Sequence, residues 1–150
     1  MILPSPAAGF DEPFAMLHAC HERVERSLAL LERLATHVAQ HGADAQARDA
    51  ARDVLRYFDI AAPQHHEDEE RHVLPALRAQ GQGALADRIA ADHVAMSAAW
   101  QSLRPWLLAL QQGGAGFVPP ELPRFAARYR EHIAIEEGSV FAPVQAALDE

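Results

Sequence analysis

Several kinds of residue are scarce in this 150-residue chain, and each scarcity excludes a class of protein. Because Cys20 is the only cysteine, no disulfide can form within the chain, and we expect a reducing compartment. The 13 Lys and Arg residues are outnumbered by 21 Asp and Glu residues, and the resulting net charge of -8 argues against binding to nucleic acid or anionic membrane surfaces. No apolar run approaches the roughly 20 residues that cross a bilayer. Residues 1–10 also lack the features of a secretory signal, so we expect a soluble cytoplasmic protein.

Residues that favour helices are abundant, whereas the β-branched residues that favour sheets are sparse. Glycine and proline divide the chain into four predicted helices, at about residues 11–40, 46–79, 84–112 and 119–148. Short joints make neighbouring helices antiparallel, so the sequence predicts an all-α, up-down-up-down four-helix bundle. We expect one domain over residues 1–150, with its core at about residues 10–148. Pro63, Pro75, Pro105 and Pro143 are each expected to kink or end a helix.

A histidine interrupts the apolar seam of every predicted helix, and in the second and fourth helices a glutamate follows one turn later. The height of each side chain along the bundle follows from its position in its helix, at 1.5 Å per residue, with neighbouring helices running in opposite directions. All six side chains then fall in one slab, roughly 14–24 Å from the same end of the bundle. The six candidate metal ligands are His21, His65, Glu69, His93, His132 and Glu136.

Four imidazoles and two carboxylates in an apolar core would be costly unless a metal satisfied them. This mixture of ligands suits iron, manganese or zinc, and the lack of thiolates disfavours a closed structural zinc site. Six ligands are too many for one catalytic metal and too few to saturate two. The sequence therefore predicts two metal ions bridged by the two carboxylates, with a solvent-derived oxygen between them.

Four motifs carry a family resemblance: CHERV at 20–24, HHEDEERHVLPAL at 65–77, DHVAM at 92–96 and HIAIEEGSVFAP at 132–143. Together they resemble the hemerythrin-like, or HHE cation-binding, domains. The resemblance spans about residues 10–148. It implies the same six ligands and two iron ions with an oxo or hydroxo bridge, with manganese or zinc as alternatives. Oxygen-carrying members place a second histidine where this chain has Ser97, and an aspartate where it has Glu137. The chain is therefore more similar to the bacterial proteins with four histidines and two glutamates.

Two alternatives for the ligand set stay open. His18 lies one turn before His21 and is a further candidate. In the second helix, Val54, Phe58 and Ala61 upstream favour His65 and Glu69, whereas Val73 and Leu77 downstream fit His66 and Glu70. Pro63 could rotate the helix locally and so select the second pair.

Other side chains near the candidate ligands have plainer interpretations. No second cysteine or basic cluster lies near Cys20 in the sequence, so we expect a small packed side chain with an ordinary thiol. Asp92 and Glu131 adjoin ligands in sequence and could orient a ligand on another helix. We expect His37, His41 and His72 to lie at the surface or at the periphery of the site.

The resemblance implies a non-haem di-iron protein that binds or senses O2, NO or peroxide, or handles iron, in a stress response. The alternative is a di-iron enzyme or repair protein, acting in iron–sulfur cluster repair or peroxide turnover. No further acid, base or substrate pocket stands out in the sequence, which favours the first function. The expected partner is a small diatomic or peroxide ligand. Nucleic acid and membrane are not expected, and the chain is expected to be a monomer or homodimer.

Overall fold

The structure, a computed structural model, describes residues 13–114 and 117–141, and these residues form helices joined by short turns. Seven helical elements follow one another along the chain: α1 (Pro13–His41), α2 (Ala45–Arg56), π1 (Tyr57–Ala61), α3 (Ala62–Ala79), α4 (Gly83–Gln111), α5 (Leu122–Ile135) and π2 (Glu136–Phe141). α2, π1 and α3 run on without a break as the second long helix, and α5 continues into π2 as the fourth. The described residues contain no strand, and the predicted all-α four-helix bundle is confirmed.

Tight turns join the first three long helices. Gly42 and Gly81 have φ angles of 75° and 77°, in the left-handed region that glycine adopts without strain. Asp44 begins α2 by accepting a hydrogen bond from the backbone N–H of Ala47 at 2.9 Å. The observed ends therefore lie within two residues of the predicted ones at both turns. The fourth helix begins at Leu122, slightly later than expected.

A layer of polar residues divides the buried interior into two apolar clusters. The larger cluster includes Phe58, Ala62 and Met96, and the smaller one includes Val73 and Ile89. Along the second long helix, the candidate ligands therefore lie between Ala62 on one side and Val73 on the other. The apolar clusters fix the spacing of the helices above and below the polar layer, so they hold its side chains at fixed distances from one another.

The prolines inside the helices behave differently from one another. Pro63 lies in the first turn of α3, immediately after π1, whereas Pro75 and Pro105 lie inside α3 and α4 without ending them. Both of these latter prolines are exposed, so water can satisfy the backbone carbonyls that proline leaves without a donor. Pro143 lies outside the described residues. None of the described helices is long and apolar enough to cross a membrane.

Candidate metal centre

The structure brings the six predicted side chains together in the buried polar layer. α1 contributes His21, α3 contributes the first histidine–glutamate pair, α4 contributes His93, and the second pair spans the junction of α5 and π2. All six are at most 5% exposed. In each pair, a spacing of four residues puts the histidine and the glutamate on one helix face. The side chains form two groups of four that could each hold a metal ion: His21, His65, Glu69 and Glu136, and Glu69, His93, His132 and Glu136.

Glu69 lies between the two pairs of histidines. Its Oε1 faces Nε2 of His65, and Nε2 of His21 at 3.6 Å. Its Oε2 faces Nε2 of His93 at 3.0 Å and Nε2 of His132 at 3.9 Å. Each carboxylate oxygen of Glu69 is therefore directed at a different pair of imidazoles.

Glu136 also lies between the two groups of side chains, but it contacts both of them through one oxygen. Its Oε1 lies 3.1 Å from Nε2 of His21 and 3.0 Å from Nε2 of His132, so one oxygen is almost equally distant from both groups. The two carboxylates together give each pair of imidazoles two oxygen neighbours. Each group then offers two nitrogen ligands and two shared oxygen ligands.

Several buried atoms at the centre face one another without the geometry of a hydrogen bond. Oε1 of Glu69, Nε2 of His132 and both carboxylate oxygens of Glu136 have no hydrogen-bond partner in the described part of the chain. The ligand atoms of each group lie within 4.8 Å of one another. Opposite ligands of one metal would be about 4 Å apart, twice a typical metal–ligand distance. The donor set and its spacing therefore fit metal ions of the imidazole- and carboxylate-binding kind.

The carboxylates and imidazoles of the centre strongly shift one another's pKa values. Burial lowers the pKa of His21 and His132, but the nearby carboxylates of Glu136 and Glu69 raise the pKa of each to about 10. His65 behaves similarly: burial lowers its pKa, and its neighbours, Glu69 among them, raise it to about 9. Burial raises the pKa of Glu69, but its neighbours hold it well below the usual value. The centre thus concentrates ionised carboxylate at a buried position, where a cation would be strongly stabilised.

Three of the four histidines also have a carboxylate on their outer nitrogen, Nδ1. The distances are 3.0 Å from His21 to Glu137, 3.3 Å from His93 to Glu70 and 3.1 Å from His132 to Asp92. Such a carboxylate accepts from Nδ1–H and fixes the orientation of the ring, so Nε2 is the nitrogen that can exchange its proton for a metal. In each case the carboxylate adjoins a candidate ligand in sequence but contacts a histidine on a different helix.

This arrangement resolves several of the sequence interpretations. Asp92 orients a histidine on another helix, as anticipated, whereas Glu131 instead faces Arg88 at 3.6 Å. Glu137, considered only as a departure from the oxygen carriers, contacts His21. Sequence reasoning missed that role. The indication in the sequence was that Glu137 is an acidic residue directly after a candidate ligand.

The alternative pair in the second helix is not part of either group. Glu70 is half-exposed and lies on the outer side of His93. His66 is buried, and its ring stacks on that of His93 with a centroid distance of 4.2 Å and an angle of 11°. Burial lowers the pKa of His66 to about 3. The structure therefore assembles the cluster from His65 and Glu69.

The remaining histidines lie away from the centre or outside the described side chains. His37 contacts Asp44 at 2.8 Å near the far end of α1, and His41 and His72 are exposed. The side chain of His18, the further candidate ligand, lies outside the described residues.

Cys20 differs from the expectation of an ordinary thiol. Arg23, one turn later on α1, donates a hydrogen bond from Nη2 to Sγ at 2.8 Å. Burial raises the pKa of Cys20, but His65 and Arg23 together lower it below the usual value. The sequence interpretation gave too little weight to Arg23, three residues later on the same helix, and could not place His65, which comes from another helix. Nδ1 of His65 has no hydrogen-bond partner among the described residues, and unlike the other three histidines His65 interacts with a thiol, that of Cys20.

Comparison with known proteins agrees with this centre. The profile of the hemerythrin HHE cation binding domain matches residues 12–144. The chain is also similar to an uncharacterized protein of Haemophilus influenzae, with 33% identity over 138 residues that cover 89% of this chain and 80% of the relative. The predicted family is confirmed, and its cation-binding character accords with the buried histidines and glutamates. The chain belongs to the family of hemerythrin HHE cation-binding domains.

Proposed function

We propose that the six clustered residues bind two iron ions. Two histidines would hold each ion, His21 with His65 and His93 with His132. Glu69 and Glu136 would be shared between the ions. The observation that carries this proposal is the orientation of Glu69, whose two oxygens face different pairs of imidazoles. A purely structural buried carboxylate would need hydrogen-bond donors, and neither oxygen of Glu136 has one with hydrogen-bond geometry among the residues that the structure describes.

The protein residues would prepare the centre for metal binding. Glu70, Asp92 and Glu137 hold three imidazoles by Nδ1, which fixes the orientation of each ring. The apolar clusters on both sides keep bulk water away from the carboxylates. A pair of iron ions bound by six protein atoms would retain open positions for a small ligand such as O2, NO or peroxide.

The function that we propose is reversible binding or sensing of such a ligand in a reducing cytoplasm. The carboxylates of Glu70, Asp92 and Glu137 beside the cluster each contact the outer nitrogen of a histidine, and this positioning role favours binding over turnover. The single cysteine of the sequence agrees with the compartment.

Metal analysis of variants tests the shared carboxylate directly. We expect about two ions per wild-type chain. His65→Ala should remove one ion, because only one group uses this histidine, whereas Glu69→Ala should remove both. His37→Ala, far from the centre, is the matched histidine control and should keep two. A wild-type protein without metal, whose thermal stability is unchanged by a chelator, would contradict the proposal. So would two ions retained in Glu69→Ala.

Optical spectra test the proposed ligands. Spectra of the iron-loaded protein should be recorded in air, under reductant and with nitric oxide. We expect changes that reverse when the ligand is removed. Continuous consumption of peroxide in proportion to iron content would instead assign the centre to an enzyme.

A further inference from the structure

A small cavity opens beside the metal centre, between the second and third long helices. Its volume is about 80 Å³, well above the roughly 10–15 Å³ that holds one water molecule. Residues of the rim are exposed and those of the inner wall are buried. The rim includes Pro63, Ser97 and Gln101, and the wall includes His66, Trp100 and Tyr129. The cavity therefore connects the surface with the buried layer that contains the candidate ligands, and it is wide enough only for a small molecule.

His66 separates this cavity from the metal centre. It lines the cavity, and its ring stacks on that of His93, one of the six candidate ligands. Nε2 of His66 is buried and has no hydrogen-bond partner in the described chain, and the residue is only 8% exposed. A buried polar atom without a partner costs about 1–3 kcal/mol. That cost indicates a group that hydrogen-bonds a molecule in the cavity.

The polar groups of the cavity restrict the chemistry of that molecule. The imidazole of His66, the hydroxyl of Ser97 and the amide of Gln101 supply both donors and acceptors. Asp59 also lines the cavity, but its charge is compensated by Arg104, whose Nε donates to both carboxylate oxygens at 3.0 Å, so the lining offers no unpaired charge to an ionic ligand. A small neutral molecule that both donates and accepts hydrogen bonds, such as hydrogen peroxide, fits this lining better than dioxygen does.

We propose that the cavity is the access and holding site for a neutral peroxide on its way to the metal centre, with His66 as its hydrogen-bonding residue. This inference rests on the proposed function. Ser97 keeps the rim open because its side chain is small. His66 and Ser97 thus control which molecules reach the centre without being metal ligands themselves.

The first test measures the second-order rate at which hydrogen peroxide changes the spectrum of the iron-loaded full chain. His66→Phe keeps an aromatic ring on His93 but removes the nitrogens, and should lower the rate about tenfold, the effect of one hydrogen bond in a buried site. Ser97→Phe fills the rim and should lower the rate at least as much. Ser102→Phe, at an exposed position of α4 outside the cavity, is the matched control and should leave it unchanged. Iron content should be the same in all four proteins.

A second test does not depend on iron chemistry. The full chain, loaded with zinc and labelled with ¹⁵N-histidine, should be titrated with hydrogen peroxide and observed by NMR. We expect a saturable shift of the His66 ring nitrogens in wild type and Ser102→Phe, and none in Ser97→Phe. Equal rates in all variants, or the absence of a saturable shift, would overturn the role of the cavity. Failure of the proposed function would show differently, as a wild-type protein that binds no metal.

Discussion

Asp92 offers the sharpest test of how the outer carboxylates support the centre. Its Oδ2 lies 3.1 Å from Nδ1 of His132, and its side chain is 30% exposed. A hydrogen bond to a charged group contributes about 1.5–3 kcal/mol, and partial exposure places this one near the lower limit. Loss of a carboxylate behind a metal-binding histidine typically weakens metal binding 10- to 100-fold. We therefore expect Asp92→Leu to raise the dissociation constant for metal about 10- to 30-fold, or roughly 1.4–2 kcal/mol.

Competition with a chelating dye of known affinity measures this change. Asp92→Asn should show a smaller loss than Asp92→Leu, because an amide oxygen can still accept from Nδ1–H but carries no charge. Asp87→Leu is the matched control, since Asp87 lies on the same helix and contacts only Arg78 at the surface in the described structure. Thermal unfolding of the metal-free proteins checks that each variant folds. Equal metal affinity for Asp92→Leu and Asp87→Leu would refute the orienting role.

Three further changes probe other parts of the structure. Asp59→Ala leaves the buried indole N–H of Trp100 without its acceptor at 2.8 Å and should lower the free energy of unfolding by about 1–3 kcal/mol. The pKa of Asp59 is lowered in the folded protein. Its contribution to the free energy of unfolding is therefore fully present above the unfolded pKa of about 4 and is lost as pH falls through the folded pKa. Urea titrations should show that the stability difference between wild type and Asp59→Ala shrinks on acidification. Arg130→Gln removes ion pairs to two glutamates of α1, at 2.9 and 2.7 Å, and should lower the free energy of unfolding by about 0.5–1 kcal/mol. The loss should be smaller at high salt in the same urea titrations, and a loss independent of salt would contradict an ionic origin. In dye competition, Cys20→Asp should bind metal at least as tightly as wild type, whereas Cys20→Leu should bind it several-fold more weakly. Equal metal affinity in Cys20→Leu and wild type would show that the thiol does not influence His65.

The sequence predicted the bundle and the composition of its polar layer because both follow from regular helix geometry. Apolar positions repeat with the period of a helix, and glycines mark the turns. Antiparallel counting then needs only the rise per residue to bring His21 and His93 to the level of Glu69 and Glu136. These quantities hardly vary between helices, so small errors in the helix ends did not move the layer.

The outer carboxylates could not be assigned in the same way. Glu70, Asp92 and Glu137 each adjoin a candidate ligand, and neighbours on a helix point about 100° apart. Whether such a side chain reaches a histidine on the next helix depends on how far apart the two helices lie and how each is rotated about its axis. Packing of the apolar clusters sets both quantities, and the sequence pattern contains neither. The same reason explains why the contact between Cys20 and His65 was missed.

The choice between the two histidines of the second helix depended on a departure from regular geometry. Pro63 has no backbone N–H, and its ring crowds the carbonyl of the residue four positions earlier. The helix widens at this point, where the N–H of Ala62 bonds to the carbonyl of Tyr57, five residues back. The wide turn accommodates an extra residue, so Ala62 lies in the core and the predicted Ala61 is only partly buried. A uniform period of 3.6 residues cannot represent this change of phase. It therefore left two registers open, whereas the π-helical turn aligns the apolar residues on both sides of it and directs His65 into the cluster.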